Sequence, residues 1–91
     1  MNEINEQSLQ GKYTFFTESG STYILTIDEN RKVWLERKNE NSGLSLRRDN
    51  EKLYVLEIVR LQVGLSAVFV LEPLGKGEVT TRITSKVLEI V

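Results

Sequence analysis

The sequence predicts an all-β fold: a small single-domain antiparallel β-barrel or rolled sheet of about seven short strands. Three observations lead there. From Gly11 onward apolar and polar residues alternate with period two, and aromatic and β-branched types dominate. Turn signals recur every ~8–12 residues, the spacing of short strands joined by hairpins. Apolar residues do not return at i+3 and i+4 for any length, so an amphipathic helix is not supported. Seven strands in ~80 residues suit a rolled, partly closed barrel better than an immunoglobulin-type sandwich, which takes ~100.

The elements follow in order. Residues 1–10 are polar and acidic apart from Met1, Ile4 and Leu9, and are expected to be a flexible or frayed segment ahead of a single β domain over 11–91. A strand at 12–17 sets Tyr13 and Phe15 on one face and Phe16 on the other. Glu18-Ser19-Gly20-Ser21 is a turn in which Gly20 takes positive φ. A strand at 22–28 alternates Tyr23, Leu25 and Ile27 against Thr22, Ile24 and Thr26. In the following turn, 28–31, Asn30 is the residue expected to turn left-handed. The strand at 32–37 carries Val33 and Leu35 opposite Trp34, and a polar loop at 38–43 leads to a short strand at 44–47. Strands at 52–59 and 66–71 are apolar on both faces, and Pro73, Gly75 and Gly77 break the chain before two closing strands at 78–84 and 86–91. The double-sided apolar strands at 52–59, 66–71 and 86–91 predict a homo-oligomer, a dimer or higher, in which a second copy covers the surplus by edge pairing or face packing. The alternative is that the strands curl so that both faces lie inside one core.

Composition removes most chemistries. The 91 residues include no Cys and no His, so there is no disulfide, no thiolate or imidazole metal ligand, and no Ser-His or Cys-His nucleophile pair. No Asp-x-Asp-x-Asp run suggests a carboxylate metal site, so neither metal nor cofactor is expected. The expectation is a protein without enzymatic activity. A net charge of −1 argues against a general pull on nucleic acid or anionic lipid. The longest apolar run, Ala67 to Leu71, is far short of a membrane span, and the acidic N-terminus is unlike a signal peptide, so a cytoplasmic location is expected.

Three polar stretches are candidate ligand contacts. Ser19-Gly20-Ser21-Thr22-Tyr23 sets hydroxyls and backbone N–H groups around a glycine, the composition of an anion-binding nest and also of an ordinary hairpin turn. Arg47-Arg48-Asp49 offers two guanidinium groups suited to phosphate or carboxylate, or simply a solvated strand end. In 80–85, alternation puts Thr80, Arg82 and Thr84 on one face and Thr81 and Ile83 on the other, which makes a row of hydrogen-bonding groups as well as a common sheet composition. The ligand-binding set is therefore Ser19, Ser21, Thr22, Arg47, Arg48, Thr80, Arg82 and Thr84. Trp34, Tyr54 and Tyr23 are aromatic groups that either stack a ligand ring or fill the core.

The order Ser19-Gly20-Ser21-Thr22-Tyr23, Leu46-Arg47-Arg48-Asp49, Val63-Gly64, Thr81-Arg82-Ile83-Thr84-Ser85-Lys86-Val87 resembles small uncharacterised all-β proteins of phage and bacterial genomes. The resemblance implies a phage-type accessory or immune-evasion protein, with no activity to carry over. Its expected role is to sequester a nucleotide-like signal, a small phosphorylated or cyclic nucleotide, in an Arg/Ser/Thr pocket. One alternative is a protein-interaction module that inhibits a host protein through a strand edge or apolar face. Another is a barrel that binds single-stranded nucleic acid, which the acidic balance disfavours.

Overall fold

The structure, a computed structural model, describes residues 1–38, 51–73 and 77–91. Six antiparallel strands follow one another around a closed ring: β1 (Gly11–Thr17), β2 (Thr22–Ile27), β3 (Val33–Lys38), β4 (Leu53–Arg60), β5 (Ser66–Leu71) and β6 (Thr80–Ile90). Each strand bonds to the next, and β6 returns to β1 through Phe15↔Ile90, Phe16↔Glu89 and Thr17↔Val87. No helix among the described residues is long and apolar enough to cross a membrane.

Strict alternation builds the first half. Tyr23, Leu25 and Ile27 of β2 and Val33 and Leu35 of β3 point inward and are buried. Around the ring Phe15 stacks on Tyr23 with centroids 4.9 Å apart and tilts against Phe69 at 6.0 Å. Such aromatic groups remove large apolar areas from water at ~25 cal/mol per Å².

Bulges build the second half, and they change the expected strand count and faces. The expected strands at 78–84 and 86–91 are a single strand, β6, and among the described residues the ring has six strands where about seven are expected. The β5–β6 register shifts between Ser66 and Val68, which gives β6 an extra residue at Thr84–Ser85 and bends it without ending it. The expected strand at 44–47 lies outside the described residues. Strand β4 has two register shifts, so its buried residues Val55, Ile58 and then Leu61 recur every third position. Period-two reading places Val59 with the inward Val55; the bulges turn Val59 outward instead, where it is 51% exposed beside Leu56 at 48%. The two-sided apolar strands therefore do not curl both faces into one interior.

The N-terminal segment joins the barrel, where a flexible or frayed end is expected. Ile4 is 1% exposed within the core, its N–H bonds to the Leu61 carbonyl, and Glu3 pairs with Gln62. Arg31 ties the same segment down by donating from Nη2 to the carbonyls of Glu6 and Ser8 at 2.7 and 2.8 Å. Arg31, not Asn30, takes the left-handed conformation, with φ of 64°. The hairpin explains the difference: Arg31 N–H bonds to the Asp28 carbonyl and Asp28 N–H to the Lys32 carbonyl, a five-residue turn whose fourth residue must have positive φ.

Candidate anion site at one mouth of the barrel

The β1–β2 turn sits at one end of the ring. Gly20 takes φ of 88°, as expected, and its N–H bonds to the Thr17 carbonyl while Thr17 N–H bonds to the Ser21 carbonyl. This turn brings the Ser19 and Ser21 hydroxyls to 3.4 Å from one another and Ser19 to 3.3 Å from the Thr17 hydroxyl. Strand β6 passes alongside: Ser85 Oγ accepts the Ser19 N–H and donates to Ser19 Oγ, both at 3.1 Å.

Two guanidinium groups lie on the inner side of the ring, and one of them, Arg37, is bonded to the turn. Residues directly opposite in an antiparallel pair share a face of the sheet. Arg37 lies opposite Tyr23, and Arg82 lies opposite Phe69. Tyr23 and Phe69 are the two rings that flank Phe15 inside the barrel, so Arg37 and Arg82 are on the inner face, bordering one aromatic group. Arg37 is buried to 9% exposure and donates from Nε and Nη2 to Ser21 Oγ at 3.3 and 3.1 Å. Thr80 lies opposite the inward Leu71 and so continues the Arg82 row. A cation at the edge of an apolar interior attracts an anion more strongly than one in open water, since the effective dielectric is lower.

The structure sorts the expected ligand residues. Ser19 and Ser21 meet in the hydroxyl cluster, and Thr80 and Arg82 share the inner face of β6. Thr84 is also inward, but it is buried and its hydroxyl accepts the Ala67 N–H at 3.0 Å and donates to the Ser85 carbonyl at 2.7 Å. Those bonds repair the ladder at the β6 bulge, which makes Thr84 a part of the framework. Thr22 does not join the cluster: it lies opposite the outward Phe16 and Lys38. Arg47 and Arg48 lie outside the described residues. Among the aromatic candidates, Tyr23 is core, and Trp34 and Tyr54 form a tilted pair on the outer surface, 5.2 Å between centroids.

Arg37, Thr17 and Ser85 are absent from the sequence-based set. For Arg37 a signal existed. It occupies the third inward position of β3 after Val33 and Leu35, and a charge in an apolar phase marks either a strand end or a site. Among the described residues no group of three or more acidic side chains is arranged to hold a metal ion.

No protein-family model, curated protein or solved structure matches this chain.

Proposed function

We propose that the chain is a non-enzymatic binding protein that holds a small anionic ligand of the nucleotide class at this mouth and releases it unchanged. The observation that carries the reading is the register of Arg37 and Arg82, two inward cations on strands around the Phe15 aromatic group, with Arg37 bonded to Ser21 in the cluster of Ser19, Ser21 and Ser85 hydroxyls. A phosphate group suits this chemistry, because guanidinium forks and hydroxyl donors both bond its oxygens. With no imidazole and no thiol in the chain, the site has no ordinary neutral-pH base or strong nucleophile to work on what it holds. Sequestration follows as the biological role, consistent with an accessory protein of the phage type that removes a nucleotide signal from solution. Of the protein-binding alternatives, the strand-edge form is weakened by the closed ring, since closure leaves a sheet without edges.

Titration calorimetry with inorganic phosphate, adenosine and guanosine monophosphates, cyclic AMP and a cyclic dinucleotide tests the reading. At least one probe is expected to give saturable heat and be recovered intact by chromatography. Arg82→Gln should weaken that binding at least about tenfold, or ~1.4 kcal/mol. Silence across the panel, or turnover of a bound probe, contradicts the reading.

A further inference from the structure

We infer that the outer face of β4–β5–β6 is a homodimer interface, formed about a two-fold axis that lies in the plane of the face and crosses the strands at the level of Phe69. Leu56 and Val59 of β4 and Ile83 of β6 are outward and exposed, Ile83 to 67%. Val68 and Val70 of β5 lie between them and are half-buried. Three strands at ~4.8 Å spacing and six residues at ~3.3 Å give a face about 15 by 20 Å, in which these apolar side chains are interleaved with the outward Glu57, Arg60 and Thr81. Its area, about 300 Å², is that of the largest patch on an ordinary monomer, a patch that is often functional.

Charge placement selects a second copy as the occupant. The register sets Glu57 beside Val70 and Arg60 beside Val68, one row on either side of the Ile58↔Phe69 pair. Arg60 Nε donates to the Ser66 carbonyl at 2.8 Å, which holds its guanidinium at the margin of the face. Glu57 has no ion pair among the described residues. Rotation about the proposed axis exchanges the two rows. Glu57 of each copy then meets Arg60 of the other, twice by symmetry, while Val68 of one copy meets Val70 of the other in the apolar centre. A two-fold interface is self-complementary in this way. Two sheets stacked face to face are a familiar packing, with strands within ~30° of alignment. At about 300 Å² on each copy, about 600 Å² in all, the face is below the ~1,200 Å² of standard specific interfaces, so the dimer should be weak, with dissociation in the upper micromolar range.

Sedimentation equilibrium across micromolar concentrations, on the full chain and on charge variants checked for fold by circular dichroism, decides the matter. The wild type is expected to dimerise. Glu57→Arg and Arg60→Glu should each weaken the dimer at least about tenfold by setting like charges together, and the double variant E57R/R60E should restore it. Ile83→Lys, at a position too exposed to affect folding, should also weaken it. A monomeric wild type, single variants that dimerise normally, or a double variant that stays monomeric overturns the inference. None of these outcomes depends on ligand binding at the barrel mouth.

Discussion

Thr84 occupies a position where a polar side chain stands in for backbone. The bulge in β6 removes a carbonyl from the reach of Ala67 N–H, and the threonine hydroxyl accepts that bond instead. Thr84→Val keeps the shape and leaves a buried N–H without an acceptor, so it should cost about 1–3 kcal/mol in urea unfolding. Thr84→Ser keeps the oxygen and should cost clearly less; equal losses would mean that packing alone holds this site. Asp28 does comparable work in the β2–β3 turn. The Lys32 backbone N–H holds its carboxyl below the ordinary value, partly offset by desolvation and reinforced by the Trp34 indole, the Asn30 N–H and the Lys32 charge. A folded value below the unfolded one means that this stabilisation is present above the unfolded value. It is lost as pH falls through the folded one. The stability difference between wild type and Asp28→Asn should therefore close as pH falls from about 5 toward 2. Unfolding midpoints measured across that range check it, and parallel curves would show that the carboxylate bonds add nothing.

At the scale of elements, the strands written in plain alternation were legible and the bulged ones were not. Val33-Trp34-Leu35 and Tyr23-Ile24-Leu25 have one phase each, and the structure keeps it. In Leu53 to Arg60 both phases are apolar, so composition cannot say which residues turn inward; two bulges decide it, and a bulge leaves no mark in a run of Leu, Ile and Val. Ser85 had the look of a break between two strands because serine is frequent in turns, yet it sits at a bulge inside one strand and bonds to the β1–β2 turn. The N-terminal segment is a different case. A single apolar residue, Ile4, among polar neighbours carries no periodicity, and only the closed ring supplies the opening that it fills. Ile4→Ala should destabilise the fold by about 2–5 kcal/mol in denaturant unfolding, a large share of the ~5–15 kcal/mol a domain has. A loss under about 1 kcal/mol would mean that the segment lies on the barrel without supporting it.

For the molecule as a whole, topology makes the candidate site. Ser19 and Ser85 are 66 residues apart and meet only because β6 closes onto β1. Closure likewise sets the Arg37 and Arg82 strands around the same aromatic group. In the sequence the Ser19/Ser21 turn and the Thr80/Arg82 row are separate polar stretches; the ring brings Ser85 of β6 to the turn and sets Thr80 and Arg82 on its inner face. Arg37 was visible only as an inward charge on a regular strand. The account rests on those two inward guanidinium groups forming one anion site. NMR of the arginine Nε–H resonances during titration with inorganic phosphate tests this most directly. Saturable shifts confined to Arg37 and Arg82, with Arg31 and Arg60 unmoved, are the predicted result. Shifts spread evenly over all arginines, or absent from these two, would contradict it.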